Sequence, residues 1–347
     1  MDVLRYAVPW NAGIAVLVPD GEEPAPVDGA RMLGIGCSEA EDPVALMERL
    51  RGMRGEDGFE FVLVPPESLD RLDPRDGLAD ALERTFERVG NDEQAGTLYS
   101  LYERPPDGRT GPDGLPLPPV HLVRITSGCA RQARNNPDRM YRSFFEGGQE
   151  GAGWVRDMVS RAGADIAAMD AVLDFGCGCG RVIRHWRGLE RPQVLGCDYN
   201  PYLAGWCADN LTFAEFAVNR LEPPLPYEDD RFDLVYSVSI FTHLAEELQR
   251  PWIEELARVV RSGGLVLVTV TGPELATELL RPGDLERFER GDLVVKRSEL
   301  AGMNACAAYH PARYIREELA RGLELVEHAV SGAPDVRQDA VLLRVPG

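Results

Sequence analysis

Positive charge is scarce in this sequence. Its 347 residues include a single lysine, Lys296, and its 37 basic side chains face 57 acidic ones, which gives a formal net charge of -20. Nucleic-acid backbones and anionic membrane surfaces are themselves negative, so both repel a protein of this charge. We therefore expect no nucleic-acid partner.

Long hydrophobic runs and paired cysteines are missing as well. Apolar stretches such as residues 265–270 are far shorter than the roughly 20 residues of a membrane span. The opening MDVLRYAVPW has neither the basic nor the apolar region of a signal peptide. The seven cysteines are odd in number and lack the spacing of a disulfide scaffold, which favours a reducing compartment. We expect a cytoplasmic protein without a membrane span.

The composition is that of a globular protein, with 44% hydrophobic and 27% charged residues. The length predicts two domains. Residues 104–119, RPPDGRTGPDGLPLPP, are rich in proline and glycine, which disfavour both helix and sheet. We therefore place a small α/β domain at residues 1–103, a linker at 104–119 and a second domain at 120–347.

The first domain alternates strand-like runs with stretches of helical spacing. We predict strands at 13–18, 59–64 and 97–102, and helices at 43–54 and 79–89. This pattern is typical of a small α/β sandwich.

The second domain alternates more regularly. We predict strands at 171–175, 193–197, 213–218, 232–238, 265–271, 323–330 and 339–345, and helices at 136–163, 180–187, 201–211, 248–261 and 311–321. The pattern indicates a parallel sheet covered by helices on both faces. Such sheets bind ligands at the carboxyl ends of their strands.

The sharpest motif is VLDFGCGCGR at residues 172–181. Asp174 lies near the end of an apolar strand, and Gly176, Gly178 and Gly180 follow at alternate positions before a predicted helix. Glycines allow a tight turn and let a ligand approach the backbone, while the amides that open a helix attract an anionic group. The carboxylate of Asp174 suits an ammonium group. The motif therefore predicts a ligand with both an amine and a carboxylate.

Asp198 ends the next strand along the chain. A carboxylate at this position can accept hydrogen bonds from both hydroxyls of a ribose, and the adjacent Tyr199 can lie on a purine face. An aspartate at a strand end is also a common helix cap or turn residue. Its spacing of one strand-helix-strand unit from Asp174 favours the ribose.

Polar residues also follow the next two strands. Asn219 offers an amide that can both donate to and accept from an adenine edge. Ser237 and Ser239 lie near the end of strand 232–238, and His243 comes just beyond. His243 is a candidate general base, because imidazole titrates near neutral pH. The alternative is a residue at a helix start with an ordinary hydrogen bond.

In order and spacing, these blocks and the helix-turn-strand segment 256–270 resemble the class I methyltransferases that use S-adenosylmethionine. The phrases FDLVYSVSIFTHL and RVVRSGGLVLVTV are most similar to the type 11 and type 12 groups. The resemblance covers residues 140–345. It implies an α/β fold with a Rossmann-like sheet of seven strands, the last one antiparallel.

The resemblance also implies a set of cofactor contacts. These are Asp174, Gly176 and Gly178 at the methionine part, Gly180 completing the loop, Asp198 at the ribose, Tyr199 and Asn219 at the adenine, and Ser237 near the cofactor amine. Tyr141, on the helix before the glycine motif, is a further candidate that would close over the cofactor carboxylate. The alternative for Tyr141 is a core position.

The amino-terminal stretch GFEFVLVPPESLDRLD resembles a domain found with some bacterial polysaccharide-related glycosyltransferases and methyltransferases. Ser68 and Arg71 depart from that pattern, since the relatives tend to be aromatic there. This second resemblance implies a partner in glycan biosynthesis.

The remaining candidate residues have simpler structural interpretations. Cys177 and Cys179 flank a glycine, but no second pair stands at metal-site spacing, so we expect small buried side chains and no metal. Tyr309 and His310 precede a predicted helix and are secondary candidates for the catalytic base.

Together these features predict an enzyme that moves a methyl group from S-adenosylmethionine to a small molecule or glycan by direct displacement. The insertion at residues 272–309 would supply a lid and part of the acceptor pocket. Two alternatives stay open. One is a nicotinamide-dependent dehydrogenase, although the glycines run G-x-G-x-G. The other is a cofactor-binding scaffold without turnover that partners a glycan-modifying enzyme.

Overall fold

The computed structural model describes residues 12–19, 31–37, 43–56, 59–66, 77–92, 96–103, 108–126 and 136–347. By its internal contacts the chain divides into two units, Met1–Ser143 and Phe144–Gly347. Across the described ranges, no helix is both long enough and apolar enough to cross a membrane.

The first unit contains a five-stranded sheet with helices. Its elements are β1 (Gly13–Pro19), β2 (Arg31–Cys37), α1 (Pro43–Glu56), β3 (Phe59–Val64), α2 (Gly77–Thr85), β4 (Phe86–Asp92), β5 (Gly96–Glu103), α3 (Val120–Thr126) and the start of α4 (Pro137–Arg161). The strand order is β2-β1-β3-β5-β4, in which β1 runs parallel to β2 and β3 and β5 runs antiparallel to β3 and β4. An α/β region thus precedes the second unit, as predicted.

The helix predicted at residues 79–89 is only half correct. The helix α2 ends at Thr85, and β4 begins with the next residue. In β4, Phe86 and Val89 are buried and the backbone pairs with β5. Pairing along an existing strand satisfies the backbone groups of this segment, so tertiary context overrides its helical spacing. The strand β2 was not predicted.

The predicted linker falls partly outside the described residues, which begin again at Gly108. Its described part forms a tight turn, since the amide of Gly111 donates to the carbonyl of Leu115 at 2.8 Å and the amide of Leu117 donates to that of Arg109 at 3.2 Å. The division by contacts falls later, within α4. The domain boundary at residues 104–119 stays a prediction.

The second unit is built on a seven-stranded sheet. Its strands are β6 (Ala171–Phe175), β7 (Gln193–Asp198), β8 (Glu215–Val218), β9 (Phe232–Ser237), β10 (Val260–Val270), β13 (Glu324–Ala333) and β14 (Gln338–Arg344), and a separate pair is formed by β11 (Val294–Lys296) and β12 (Ala307–Tyr309). The order in the large sheet is β13-β14-β10-β9-β6-β7-β8. Only β14 runs antiparallel to its neighbours. The predicted Rossmann-like sheet with its last strand antiparallel is confirmed.

Helices connect these strands. They are α5 (Pro201–Asn210), α6 (Glu246–Val259), α7 (Pro273–Leu279), α8 (Pro282–Glu289) and α9 (Ala312–Tyr314), which continues as a π-helical segment over Ile315–Leu319. The helix predicted at 311–321 is therefore irregular, although Ile315 and Leu319 still reach the core.

One face of the sheet packs against α6 through the apolar stripe predicted from the sequence. Trp252, Leu256 and Val259 are fully buried, and the Trp252 ring lies 4.6 Å from that of Phe175 in β6. Burying an apolar side chain of this size contributes about 1.5–3 kcal/mol. This packing holds the strand that leads into the glycine motif.

Candidate functional site

The predicted site residues of the second unit stand at the carboxyl ends of neighbouring strands. Asp174 lies near the end of β6, Asp198 ends β7 and Ser237 ends β9. Because β7 and β9 pair with opposite sides of β6, the chain order reverses there. Parallel sheets form a ligand crevice at such a reversal.

The glycine motif forms a loop that only glycine can adopt comfortably. Gly176, Gly178 and Gly180 have φ angles of 82°, 57° and 83°, in the left-handed region. A Cβ on Gly176 would lie 2.3 Å from the side chain of Ile240, so space is short as well. The loop therefore depends on its glycines for both conformation and packing.

The helix predicted after this loop is wrong. In its place, residues Ile183–Trp186 form one short 3-10 turn. Arg184 and Trp186 are both buried, and the Arg184 guanidinium lies 4.7 Å from the centre of the Phe145 ring. We attribute the difference to these buried side chains, which pull the segment inward, and to the β-branched Val182 and Ile183, which weaken a helix. Because no α-helix begins after this loop, the predicted attraction of an anion to a helix amino terminus does not apply here.

Asp198 is buried and hydrogen-bonded by backbone on both oxygens. The amides of Gly178 and Asn200 each donate to it at 2.9 Å. Burial raises the pKa of this carboxyl to about 6, and the two amides oppose that rise. A carboxylate has about four acceptor positions, so two remain for ligand hydroxyls. Through Gly178, Asp198 also shapes the glycine loop.

Asp174 lies in a buried aromatic setting. The hydroxyl of Tyr236 donates to it at 2.7 Å, and the indole of Trp186 donates to that hydroxyl at 2.7 Å. Burial raises the pKa of Asp174 to about 7, while Tyr236 and the Arg181 guanidinium act in the opposite direction. A nearby cation would favour its charged form.

Two buried oxygens at this edge lack partners. The amide nitrogen of the Asn219 side chain donates to the Arg220 carbonyl at 2.7 Å, but its Oδ1 accepts nothing from the described residues. The same is true of Ser237 Oγ. A buried polar atom without a partner costs about 1–3 kcal/mol. These oxygens fit a site that a polar ligand completes, such as an adenine amine at Asn219.

His243 and Tyr199 are linked through the insertion. The Tyr199 hydroxyl donates to the carbonyl of Gly302 at 2.7 Å, and the amide of Gly302 donates to the carbonyl of His243 at 2.8 Å. His243 Nδ1 lies 2.7 Å from the carbonyl of Cys306, which can only accept, so Nδ1 carries the hydrogen. The insertion therefore contacts both predicted residues.

The ring of His243 is suited to accept a proton. With the hydrogen on Nδ1, the lone pair is on Nε2, for which the described residues provide no partner. Burial holds the pKa of His243 below its usual value, and the bond to Cys306 partly opposes this. The ring is therefore neutral at pH 7.

Comparison with known proteins assigns the central part of the chain. A family model described as a methyltransferase domain matches residues 173–268, from β6 to β10. This segment holds the glycine motif, Asp198, Asn219, Ser237 and His243. It is a class I methyltransferase domain.

Individual proteins with a similar sequence match only part of this chain. A tRNA (carboxymethyluridine(34)-5-O)-methyltransferase of Arabidopsis thaliana is 37% identical over 107 residues, which are 30% of this chain and 24% of that protein. A malonyl-acyl-carrier protein O-methyltransferase of Salmonella typhimurium is 34% identical over 100 residues, 28% of this chain and 38% of that protein. The chain thus spans well under two thirds of these curated relatives, which leaves its acceptor open.

Solved structures of similar proteins include a TehB-like SAM-dependent methyltransferase from Corynebacterium glutamicum. It is 21% identical, with a TM-score of 0.37, and the match covers 57% of this chain and 88% of that one.

The cofactor of the methyltransferase domain is S-adenosylmethionine, in agreement with the prediction. The residues present fit this group, because the unpartnered oxygens of Asn219 and Ser237 and the open positions on Asp198 share one edge of the sheet. The assignment of each residue to a part of the cofactor stays a prediction.

The other sequence candidates have different surroundings. The Tyr141 hydroxyl donates to the carbonyl of Pro118 at 2.8 Å, so it is already engaged, and its contact with the cofactor stays a prediction. Tyr309 packs in a small cluster with Phe288 and Val294. His310 is fully buried, with Nε2 3.1 Å from Gln249 Oε1.

The described cysteines of the methyltransferase domain are buried and form no disulfide bond. The thiols of Cys177 and Cys207 both donate to the carbonyl of Gly178, at 3.6 and 3.4 Å. Within the described ranges, no three potential ligands come together to hold a metal ion. These thiols pack beneath the glycine loop.

Sequence reasoning missed a polar ring beside the site. Ser239 has a φ of 64°, and its amide donates to Thr269 Oγ1 at 2.7 Å. The Thr269 hydroxyl donates to Gln338 Oε1 at 2.7 Å, and the Gln338 amide donates to Ser239 Oγ at 2.8 Å. Ser239 stood out in the sequence, but no local signal connects it to Gln338, which lies 99 residues away.

Proposed function

We propose that this chain is an S-adenosylmethionine-dependent methyltransferase whose acceptor is a small molecule or a glycan. The observation that carries the proposal is the match to a methyltransferase domain in which Asn219 and Ser237 keep unpartnered buried oxygens beside the glycine loop. No atom of the described residues completes this arrangement, which suits a polar ligand.

Different residues of the crevice contact different parts of the cofactor. Asp198 accepts the ribose hydroxyls, and Asn219 Oδ1 accepts from the adenine amine. The ring of Tyr199 flanks the adenine, and Asp174 with the glycine loop holds the methionine part. The bound cofactor supplies a methyl group on a sulfonium, which is open to displacement by a nucleophile. The chain contributes mainly by aligning the reacting groups.

For a hydroxyl acceptor, we propose His243 as the base. Its Nδ1–H is held by Cys306, which leaves Nε2 to take the proton. We expect His243→Ala to lower turnover about 10²–10⁴-fold, the usual contribution of a positioned base, while the Kd for S-adenosylmethionine stays nearly unchanged. Parent turnover should rise with pH as the imidazole becomes neutral, with a midpoint below its ordinary pKa of about 6.5.

Turnover and the Kd from calorimetry, measured across pH, test this role. A variant that loses melting temperature and cofactor binding together, with an unaltered pH profile, would make His243 structural. A modest loss of turnover with an unaltered profile would favour an acceptor that needs no base.

The acceptor is proposed to be a small molecule or glycan and not nucleic acid because the chain is strongly acidic. Several relatives are named for tRNA, so tRNA belongs in the test. The experiment measures release of S-adenosylhomocysteine with nucleotide sugars, oligosaccharides and total tRNA, after calorimetry with S-adenosylmethionine and with NAD. Binding of NAD alone would overturn the proposal. Cofactor binding without release on any acceptor would indicate a scaffold, and release on tRNA alone would overturn the acceptor class.

A further inference from the structure

The 3-10 turn that carries His243, Phe241–His243, and the residue after it accept three hydrogen bonds from two groups outside the turn. Gln249 Nε2 donates to the carbonyl of Phe241 at 2.9 Å and to that of Leu244 at 3.1 Å. The amide of Gly302 donates to the carbonyl of His243 itself. Because Gln249 binds a carbonyl at each end of the turn, it limits rotation of the residues between them.

The amide of Gln249 can take only one orientation here. Both hydrogens on Nε2 are used by the turn, and Oε1 can only accept. His310 Nε2 lies 3.1 Å from this Oε1 and so must carry a hydrogen. A flipped amide would turn its oxygen toward two carbonyl oxygens and its nitrogen toward an N–H group. The two carbonyls and His310 therefore hold Gln249 in the same orientation.

His310 is itself fixed in place and in charge. Its amide donates to the carbonyl of Thr271 at 2.8 Å, just beyond β10, and its ring meets that of Tyr314 edge-on at 6.0 Å. Burial lowers the pKa of His310 to about 3, so the ring is neutral at every pH at which His243 titrates. A neutral ring with its hydrogen on Nε2 is a constant donor to Gln249.

We propose that Gln249 and His310 are positioning residues for His243. His310 holds the Gln249 amide in one orientation, and Gln249 holds the turn so that His243 Nδ1 meets the carbonyl of Cys306 and Nε2 keeps its lone pair. This inference rests on the proposed role of His243 as the base.

Charged groups on the neighbouring elements also bear on the titration of His243. Glu246, Glu247 and Arg250 lie on α6, and Glu299 lies in the insertion. Burial raises the pKa of the Cys306 thiol most, and the carboxylates of Glu299 and Glu247 raise it further. The variants below leave all four groups in place.

The test uses the full chain labelled with nitrogen-15 histidine, because its five histidines give few signals. The signal missing in His243→Ala identifies His243. In the parent we expect the hydrogen on Nδ1 and a pKa below 6.5. His310→Phe removes the donor but keeps a ring, and Gln249→Leu removes the amide at similar size. In both variants we expect a mixture of tautomers and a pKa still lower than in the parent, because the bond to Cys306 that raises the pKa of His243 is weakened.

Two further variants separate positioning from general loosening. His310→Gln restores an N–H donor and should return His243 toward its parent tautomer. His328→Phe is a matched control, because it makes the same substitution on β13, where the ring lies 2.8 Å from the buried Asp339. It should leave the His243 signals unchanged. If His310→Phe does not fold, Gln249→Leu carries the comparison.

The proposal is overturned if His243 keeps its tautomer and pKa in the folded His310→Phe or Gln249→Leu variant, or if His328→Phe changes them as much. Failure of the proposed function shows in other measurements. S-adenosylmethionine would then not bind the parent in calorimetry, or His243→Ala would keep full turnover on an identified acceptor.

Discussion

At the scale of single residues, the site contains two buried carboxyls whose pKa values are raised. Asp174 and Asp198 lie at the ends of adjacent strands and are 3% and 5% exposed. Burial raises the pKa of both, to about 7 and about 6. Groups with such shifts are enriched where ligands bind, because a ligand can repay the cost of burying charge.

Asp198→Asn should weaken S-adenosylmethionine binding tenfold or more. Charge-assisted hydrogen bonds contribute about 1.5–3 kcal/mol each, and the amide that replaces one oxygen would face the amide of Gly178 or of Asn200. Calorimetry measures the Kd, with the exposed Asp209→Asn on α5 as a control that should bind normally. An unchanged Kd in folded Asp198→Asn would remove the ribose assignment.

Asp174→Asn should raise the melting temperature more at pH 8 than at pH 5. The folded pKa of Asp174, about 7, lies above the unfolded value of about 3.9, so the folded state binds more protons between these pH values. The free energy of unfolding therefore falls as pH rises through this window. Asparagine does not titrate, so Asp174→Asn avoids this loss of stability. Its side-chain oxygen can still accept the hydrogen bond from Tyr236.

A gain of about 3 °C or more at pH 8 is expected for Asp174→Asn in thermal unfolding of the cofactor-free chain. If the melting temperatures of Asp174→Asn and the parent differ by the same amount at both pH values, the pKa of Asp174 is not raised.

At the scale of elements, the glycine loop agrees with its local sequence pattern, whereas the turn after it does not. The loop follows its motif, with three positive φ angles at the three alternate glycines. The segment behind it was predicted as a helix because its apolar residues have helical spacing. Burial of Arg184 and Trp186 against the body of the domain is a tertiary demand that this spacing does not reveal.

Gly176→Ala should cost more stability than Gly188→Ala. Both positions have positive φ, 82° and 95°, so each substitution brings backbone strain of about 1–2 kcal/mol. Only at Gly176 would the new Cβ meet another group, the side chain of Ile240 at 2.3 Å, and overpacking adds about 1–3 kcal/mol. Denaturant unfolding measures the difference.

Adding Ile240→Ala to Gly176→Ala should recover part of the loss by relieving the overlap. Cofactor binding should weaken in Gly176→Ala and stay normal in Gly188→Ala. Equal losses of stability in the two single variants would show that the overlap is relieved at no cost.

At the scale of the whole molecule, we predict that residues 120–347 fold and bind S-adenosylmethionine without the rest of the chain. This fragment keeps α4 whole, whereas a fragment that starts at residue 144 begins inside that helix. We expect the longer fragment to bind the cofactor with an affinity close to that of the full chain in calorimetry. Insolubility, or no binding by a folded fragment, would place the domain boundary elsewhere.

The sequence by itself determined the class of the fold and the chemistry of its ligand crevice. Strands with continuous apolar runs must be buried on both faces, and alternate glycines after such a strand permit one kind of turn. From these local rules follow the parallel sheet, the glycine loop and the position of Asp198 at a strand end. Local rules failed at residues 79–89 and 180–187, where pairing with β5 and burial of Arg184 and Trp186 compete with helical spacing.

Only the tertiary structure decided which distant groups meet. His243 receives its tautomer from Cys306, 63 residues further along the chain. Gln249 supports its turn and also contacts His310, which lies 61 residues beyond Gln249. Hydrogen bonds of this kind depend on where separate elements cross, and no periodicity in the sequence encodes that crossing. The burial that raises the pKa of Asp174 and lowers that of His310 has the same origin, because it depends on every element that packs around the group.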